Sequence, residues 1–589
     1  MLDVADDENQ AIHMKQSEET TAISKVNGGN DYIYNKVYID AFNAVSQGSG
    51  RTYPDARAKM FHSLSEGVVW WNYTGHASPN GWTGEGLLTS PDVSNNLFYK
   101  RLPILYAATC EFTRFDALNL SGGEKMFLNG QGGAIALICP PRLVYITQNG
   151  DLHKHVAKYT FARDTEGMPH RLGDILRWGK NDYRKATSDG REDNNMRYFL
   201  FGDPAMRPAF APLKIKVESI NGQQLSEDNK PEFKARQTLT FAGKVTDSKG
   251  NKVDFNGPVI ATLYDCEQSV LSHGYGDGGE EYAYLDRPNK LAVKVDTVKN
   301  GDFSFKVTVP SEILATFDNY SPSLINLYAY DNSQTSSVKF NGGSREAMGS
   351  NSQFYIYGYD DTVVADTIGP NIEMMVLNGE EFKDGDLVNE SPLLMARVSD
   401  ESGINLSSSG IGHAITLTID DKTTINDMSA YFSPINTDSE NGSAGNINYQ
   451  LSDLDPGAHT LKLKVWDVFN NSSSKTINFT VIRGMKPDLY DVYCDANPAS
   501  TSANFYLKHN RPDATVTVGI DIYNLLGQLV WTATQTGRSD SGTSFPVTWN
   551  LTDMNGNRVQ RGIYIYRARI STDGIQEATK AKKIAVTAQ

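Results

Sequence analysis

The chain has 589 residues, and its 55 Lys and Arg against 70 Asp and Glu give a formal net charge of −15. This acidic balance argues against a nucleic-acid partner, because a phosphate backbone is bound by clustered basic charge. The four cysteines are too few for a disulfide framework, and no run approaches the ~20 apolar residues that a membrane helix needs.

The first residues look like the end of a buried strand that runs into an acidic segment. Leu2, Val4 and Ala5 are apolar, and acidic residues follow them directly. No signal-peptide pattern precedes them. Because a domain rarely begins inside its central sheet, we expect Met1 to be an internal start. A signal peptide would then belong to the part of the protein that is missing from this chain.

Residues 1–212 have the pattern of an α/β domain. Ala56, Met60 and Leu64 recur every four residues, which predicts a helix over 55–66 that ends at Gly67. Helical patterns also cover 149–188. Unalternating apolar runs predict buried strands of a largely parallel sheet, at 67–73, 102–109 and 133–138.

From about residue 213 the chain consists of short alternating segments separated by Gly, Asn, Asp and Pro. This pattern is typical of β-sandwich modules, and we place three of them at 213–365, 366–484 and 485–589. In the last module Val516, Val518, Ile520 and Ile522 share one face of a predicted strand, and Tyr564 and Tyr566 lie opposite Ile563 and Ile565 on another.

Two reactive side chains follow predicted strands of the α/β domain. His76 comes after the first apolar run and Cys110 after the second, 34 residues later. That spacing fits one strand–helix–strand repeat, which would bring both side chains to one edge of a parallel sheet. A thiol beside an imidazole that can take its proton is a nucleophile for acyl transfer, and such a pair lowers the pKa of the thiol.

Each of these residues also has a structural interpretation. A cysteine after an apolar strand is commonly a core residue, and a histidine there is commonly a hydrogen-bonded polar residue. Cys139 also ends a predicted strand, but Pro140 and Pro141 follow it and no histidine is placed as its partner. We therefore predict a structural role for Cys139.

The segments around these residues resemble the gingipain-like cysteine peptidases, which have a caspase-like fold. The matching stretches are Asn72–Ser78, Leu102–Cys110, Gly132–Ala136 and Phe201–Ala205. The resemblance implies that residues 1–212 are the C-terminal part of such a peptidase domain, in which Cys110 is the nucleophile and His76 the general base and acid.

The resemblance also implies supporting residues. An acidic residue at an upstream strand end orients the histidine in this family, and Asp6 is the best match, with Asp7 and Glu8 as rivals. Backbone N–H groups of Cys110 and Ala77 would hold the oxyanion, although the family usually has Gly where this chain has Ala77. The specificity position falls near Gln10, whose neutral side chain argues against a preference for basic residues.

Within the family, the chain resembles the branch that acts as signal peptidase and sortase of the type IX secretion system. The segments that carry this resemblance are Val4–Asn9 followed by His13–Gln16, Asn80–Glu85, Arg142–Tyr145, Asn524–Gln528, Thr548–Leu551, Asn555–Gly556 and Arg561–Tyr566. The last two modules are then expected to be immunoglobulin-like, the final one of the FlgD type.

This branch implies the substrates, partners and location of the protein. It removes C-terminal sorting domains from exported proteins and transfers the proteins to an anionic lipopolysaccharide through a thioester. We then expect a location at the cell surface, beside an outer-membrane β-barrel attachment partner and other type IX components. Two alternatives stay open: a secreted gingipain-like protease that carries its own sorting domain, and a non-catalytic surface scaffold or adhesin.

No cofactor or metal is required for this chemistry, and the four distant cysteines, which form no CxxC pair, argue against a structural zinc site. Structural calcium is compatible with the acidic loops at Asp400–Gly403 and Asp420–Asp421, which could supply oxygen ligands. Neither loop has the spacing of an EF-hand.

Overall fold

The computed structural model describes residues 1–47, 50–95, 97, 99–187, 193–316, 321–331, 345–407, 409–410, 412–512, 514–539, 542–572 and 575–587. The chain divides into two compact units, Met1–Val363 and Val364–Gln589. The first unit contains the α/β segment and a β-rich segment, and the second is built almost entirely of strands.

A six-stranded sheet forms the centre of the α/β segment. Its strands run in the order β6-β5-β4-β3-β1-β2, and all neighbours are parallel except β5 and β6. The strands are β1 (Leu2–Ala5), β2 (Asn35–Tyr38), β3 (Trp70–Thr74), β4 (Ile104–Ala108), β5 (Ala136–Cys139) and β6 (Phe199–Phe201). The predicted parallel sheet and the buried strand at the chain start are thus confirmed.

Helices cover both faces of this sheet. They are α1 (Ile12–Gly28), α2 (Pro54–Glu66), α3 (Gly122–Leu128), α4 (Ile146–Thr160) and α5 (Leu172–Ala186). Successive strand residues point to opposite faces, so Trp71 packs in one apolar layer with Met60, and Trp70 packs in the other with Val156. The helices predicted at 55–66 and within 149–187 are confirmed, while residue 188 lies outside the described part.

Short elements complete the α/β segment. Two short helices span Ser90–Asn95 and Asp193–Arg197, and a 3-10 turn spans Ile39–Ala41. The small strands are Val45–Gln47, Gly50–Thr52, Ala77–Ser78, Gly81–Trp82 and Leu88–Thr89.

The rest of the first unit is a β-rich segment with its own apolar core. Its strands are Leu213–Ile220, Gln223–Gln224, Glu232–Ala235, Thr238–Thr246, Gly257–Tyr264, Gln268–Leu271, Ala283–Asp286, Lys290–Val298, Asp302–Thr308, Leu324–Asp331, Arg345–Asn351 and Tyr355–Tyr359. Gln268–Leu271 and Ala283–Asp286 pair only with each other among the described strands, as an antiparallel hairpin. We call residues 268–286 the docking hairpin, because they pack against the α/β segment.

The second unit contains several antiparallel sheets. Its strands are Asn371–Leu377, Leu387–Val388, Leu393–Asp400, Thr416–Ile419, Thr423–Asn426, Phe432–Ile435, Ser443–Gln450, Gly457–Trp466, Ser472–Val481, Leu489–Cys494, Ala503–His509, Thr515–Tyr523, Leu529–Arg538, Val547–Trp549, Gly562–Thr572 and Ile575–Val586, with a 3-10 turn at Ser429–Tyr431. The predicted division into faces is confirmed: Val516, Val518, Ile520 and Ile522 are all buried, and Tyr564 and Tyr566 are buried while Ile563 is exposed.

Among the helices of the described residues, none combines the length and the apolar character needed to cross a membrane.

Candidate active site

His76 and Cys110 follow two strands that are direct neighbours. Strands β3 and β4 pair in parallel, with Thr74 opposite Ala108 at their carboxyl ends. The N–H of Gly75 donates to the carbonyl of Ala108 at 3.3 Å, which extends the ladder to the last residue before His76. Both predicted residues line one open cavity of about 400 Å³. The prediction that adjacent parallel strands present them at one edge is therefore confirmed.

Gly75 allows the two strand ends to approach the acidic segment closely. A Cβ at this position would lie 2.5 Å from the Cβ of Asp6 and 2.6 Å from the hydroxyl of Tyr73. Any larger residue would push β1 and β3 apart at the point where His76 enters the cavity. Glycine here is a packing requirement of the site.

The imidazole of His76 is oriented by the segment that follows β1. Its Nε2 lies 2.5 Å from Oδ1 of Asn9 and 3.5 Å from a carboxylate oxygen of Glu8. A carbonyl or carboxylate oxygen only accepts hydrogen bonds. The proton of the neutral ring is therefore on Nε2, and the lone pair that can take a proton is on Nδ1.

Asp6 holds the backbone of His76. One oxygen of its carboxylate accepts the N–H of His76 at 2.9 Å, and the other accepts the N–H of Asp7 at 2.8 Å. Burial, with a smaller contribution from neighbouring carboxylates, raises the pKa of Asp6 well above its usual range. The side chains nearest the ring nitrogen are those of Asn9 and Glu8, so the structure places Asp6 one step further from the imidazole than the resemblance implied.

The thiol of Cys110 is half-buried, and its recorded contacts are with the backbone of Val144. Sγ accepts the N–H of Val144 at 3.4 Å and lies 3.6 Å from its carbonyl oxygen. Burial raises the pKa of Cys110, and Glu111 adds to this effect. The expected lowering of the thiol pKa is therefore wrong for this structure, because desolvation outweighs the stabilisation that one backbone N–H gives to the thiolate.

The residue after Cys110 has a strained backbone conformation, and the residue after His76 does not. Glu111, directly after Cys110, has a φ of 44°, a conformation that costs a side-chain-bearing residue free energy and is typical of sharp turns at functional sites. Ala77 lies in the strand pair Ala77–Ser78 with Gly81–Trp82 and is not among the residues with positive φ. Alanine in place of the family's usual glycine is thus unstrained, and the role of its N–H stays a prediction.

Three consecutive residues with left-handed backbone connect the acidic segment to α1. Asn9, Gln10 and Ala11 have φ values of 58°, 57° and 57°. The carboxylate of Asp277, in the docking hairpin, accepts the N–H of Asn9. Gln10 is exposed beside Gly278 of the same hairpin and is not among the described residues that line the cavity. The structure therefore does not bring the predicted specificity residue to the cavity.

His13, which the sequence analysis did not assign to the site, lies in it. Its ring packs edge-on against that of His76, with 5.2 Å between centroids, and its Nε2 lies 3.2 Å from Oδ1 of Asn9. Burial lowers the pKa of His13 to about 3, so the ring is neutral at physiological pH. The segment His13–Gln16 carries part of the family resemblance, but no spacing or periodicity gives His13 a role in advance.

With this geometry established, the chain can be compared with known proteins. Residues 1–209 match the model of peptidase family C25. The recognition of this segment as gingipain-like is thus confirmed. No curated protein matches the chain.

Two solved structures are similar to the chain, one over its whole length and one over part of it. Dimeric latent PorU from Porphyromonas gingivalis is 25% identical and covers 100% of this chain, with a TM-score of 0.31, while the chain spans 64% of the length of PorU. The Arg-specific cysteine proteinase gingipain R is 15% identical, with a TM-score of 0.30; the alignment covers 60% of this chain and 66% of gingipain R.

Cys139, in the same C25 segment, has the structural role that its sequence context predicts. It is fully buried within β5, and burial raises its pKa to about 12. It is not among the described residues that line the cavity with Cys110.

The two loops considered for calcium differ in the structure. The carboxylates of Asp366, Asp400 and Asp467 lie within 4.8 Å of one another in the second unit. By contrast, the carboxylate of Asp420 contacts Nδ1 of His459 at 2.7 Å and accepts the N–H of Thr460 at 2.8 Å. The first loop, and not the second, thus provides the grouped hard oxygen donors that calcium prefers.

Proposed function

We propose that the protein is a cysteine endopeptidase in which Cys110 is the nucleophile and His76 the general base. One observation carries the proposal: the two residues follow adjacent parallel strands and line a single cavity, within a segment that matches peptidase family C25. An open cavity beside a thiol and a histidine is what a peptide bond needs in order to reach both groups.

The orientation of His76 determines how the first half-reaction would run. Since Nε2–H is directed to Asn9, Nδ1 takes the proton of the Cys110 thiol as sulfur attacks the peptide carbonyl carbon. The raised pKa of Cys110 means that the resting group is a thiol, so proton removal accompanies attack. The proton on Nδ1 then passes to the departing amine nitrogen as the C–N bond breaks, which leaves a thioester on Cys110.

The second half-reaction returns the enzyme to its starting state. Water or an amine attacks the thioester carbonyl, His76 removes one proton from the attacking atom, and the C–S bond breaks. The thiolate that leaves takes this proton back from His76. Attack by water gives a hydrolysed protein, and attack by an amine gives a protein joined to the acceptor through a new amide bond.

We further propose that the substrates are exported proteins with C-terminal sorting domains and that the acceptor is an anionic lipopolysaccharide of the cell surface. The segments shared with the type IX sortase branch, above all Val4–Asn9 and Asn80–Glu85, support this assignment. The β-rich segments would then act as spacers that hold the peptidase beside an outer-membrane β-barrel and the other type IX components.

The test is cleavage of a carrier protein fused to a C-terminal sorting domain, followed by mass spectrometry with and without an added amine such as glycine amide. We expect loss of the sorting domain, and a product extended by the amine when it is present. Cys110→Ala and His76→Ala should abolish both products. Cys494→Ala is the matched control, because Cys494 is also half-buried and has a raised pKa.

The same experiment separates the alternatives. Cleavage without any amine-extended product, together with loss of residues beyond about 485 from the mature protein, would indicate a secreted protease that carries its own sorting domain. If a thiol-directed peptide inhibitor labels Cys110 no faster than Cys494, and Cys110→Ala changes nothing, the protein is a scaffold and the peptidase proposal is wrong.

A further inference from the structure

Two buried hydrogen-bond acceptors are carried by residues of α1 that line the cavity containing Cys110. They belong to His13 and Gln16, which lie three residues apart and therefore on the same face of the helix. Both residues line the cavity, and their side chains are almost completely buried, at 3% and 7% exposed. The mechanism proposed above uses neither of them.

The contact of Nε2 with Asn9 determines which ring nitrogen of His13 carries the lone pair. Nε2 lies 3.2 Å from Oδ1 of Asn9, which only accepts, so Nε2 bears the proton and Nδ1 is left as an acceptor. Nδ1 is buried and has no hydrogen-bond partner among the described residues. Because burial lowers the pKa of His13 to about 3, the ring stays neutral and cannot serve as a cationic recognition group.

The amide of Gln16 is fixed in the same way. Its Nε2 donates to the carbonyl oxygen of Ile146 at 3.1 Å, which directs the amide oxygen away from that contact. The amide oxygen is buried and again lacks a partner within the described part of the chain. Gly150 makes room for this arrangement, since a Cβ there would lie 2.5 Å from the Gln16 amide carbon.

Buried acceptors without donors are costly, so a ligand that supplies the missing N–H or O–H would be stabilised there. The described residues that line the cavity include no Asp, Glu, Lys or Arg. A guanidinium or a carboxylate that entered would therefore find no ion-pair partner within this lining to replace its hydration, since the carboxylates of Asp6 and Glu8 lie beside His76 but outside the lining. The lining thus favours an uncharged group that donates hydrogen bonds.

From this arrangement we infer that His13 and Gln16 form the pocket for the substrate side chain that precedes the scissile bond, and that they select an uncharged hydrogen-bond donor. A carboxamide, as in Asn, offers two N–H groups for the two acceptors, and a hydroxyl, as in Ser, offers one donor. The inference rests on the proposed peptidase function, because the residue attacked by Cys110 places its side chain next to the sulfur.

The experiment uses the full chain and fluorogenic peptides that differ only in the residue before the scissile bond. We expect kcat/KM for Asn to exceed that for its isostere Leu at least tenfold, with Ser above Ala, and Arg and Asp cleaved least. His13→Phe and Gln16→Leu should each bring the Asn-to-Leu ratio towards one. This ratio is unaffected by a general loss of activity, so it separates recognition from damage to His76.

Ser24→Ala is the matched control, because Ser24 is buried on the same helix and does not belong to the lining. It should keep the full Asn-to-Leu ratio. An unchanged ratio in both His13→Phe and Gln16→Leu, or a preference of the natural sequence for Leu, Arg or Asp, would overturn the inference while leaving the peptidase function intact.

Calorimetric binding of the same peptides to Cys110→Ala gives a readout that needs no catalysis. Tighter binding of the Asn peptide, reduced by Gln16→Leu, supports the pocket even if no peptide is cleaved, in which case the peptidase proposal alone fails. Equal binding of the Asn and Leu peptides counts against the pocket.

Discussion

Asn9 decides which nitrogen of His76 is available as the base. Its Oδ1 lies within hydrogen-bond distance of Nε2 in both His76 and His13, so one amide oxygen fixes two rings. Asn9→Leu should lower kcat/KM by roughly 10²-fold, since a positioned general base contributes about 10²–10⁴-fold. The measurement is steady-state peptide hydrolysis, with circular dichroism as the check that the variant folds.

Asn9→Asp distinguishes positioning from a general structural role. A carboxylate beside the imidazolium favours the protonated ring, so the acid limb of the pH profile of kcat/KM should move to higher pH. Asn221→Asp is the control, because Asn221 also has a left-handed backbone but lies in the β-rich segment. An acid limb that stays in place in Asn9→Asp would show that Asn9 does not act through the ring.

The raised pKa of Cys110 makes a separate prediction about its reactivity. Because burial disfavours the thiolate, the rate of alkylation by iodoacetamide should stay low near neutral pH and rise only above the range of an ordinary thiol. Tryptic mapping of the Cys110 peptide after timed labelling at several pH values measures this rate. The denatured chain is the reference, and an equal or lower midpoint in the folded chain would contradict the prediction.

At this scale the sequence predicted that His76 and Cys110 meet at one edge of the sheet, but not which groups orient the imidazole. Cys110 and His76 could be predicted because strand ends in a parallel sheet follow from apolar runs and spacing. The contacts of Asn9 and His13 with the ring of His76 could not, because they depend on three left-handed residues that connect the acidic segment to α1. Nothing in the composition of that segment distinguishes such a turn from an exposed acidic loop.

The docking hairpin is the element that supports this turn. Its N–H groups at Gly274 and Tyr275 donate to the buried carboxylate of Asp40 at 2.8 and 2.7 Å, and Tyr284 packs on Tyr38 with 4.7 Å between ring centroids. Hydrogen bonds that backbone N–H groups donate to a carboxylate are among the stronger hydrogen bonds in proteins. The β-rich segment therefore supports the framework of the candidate site.

Gly276 is the position at which this contact can be tested. A Cβ there would overlap the carbonyl oxygen of Asp7, so Gly276→Ala should displace the hairpin from the acidic segment and lower both Tm and kcat/KM. Gly50→Ala is the control, since a Cβ at Gly50 meets no atom within 4 Å. Thermal melts and peptide hydrolysis with the two variants decide the question, and equal behaviour would mean that the hairpin does not support the site.

Calcium binding by the acidic loops of the second unit stays a prediction. Asp366, Asp400 and Asp467 come from three separate segments. Burial, with a smaller contribution from repulsion by the other two carboxylates, raises the pKa of Asp400 to about 6. If calcium occupies this cluster, millimolar Ca²⁺ should raise the Tm of the second unit by roughly 5 °C relative to EDTA. Asp467→Asn should remove the increase, and Mg²⁺ should not reproduce it.

Across the whole molecule, the sequence distinguished α/β from β because periodicity changes near residue 213, but it did not reveal how the segments associate. The docking hairpin contacts residues more than 200 positions earlier through backbone groups of its loop and through single ion pairs. One such pair joins Glu280 to Lys15 at 2.6 Å. Pairings of that kind leave no periodic pattern. The compact unit Met1–Val363 thus extends beyond the segment that matches the peptidase family.

This division predicts which fragments keep their activity. Cys110, His76, Asn9 and the docking hairpin all belong to Met1–Val363, so a fragment of residues 1–363 should hydrolyse a short peptide with kcat/KM within about threefold of the full chain. A fragment of residues 1–212 lacks the hairpin, exposes the apolar surface around Tyr38 and Met14, and should be inactive or aggregate. Size-exclusion chromatography and peptide hydrolysis measure both outcomes. Full activity in residues 1–212 would show that the site needs no support from the β-rich segment.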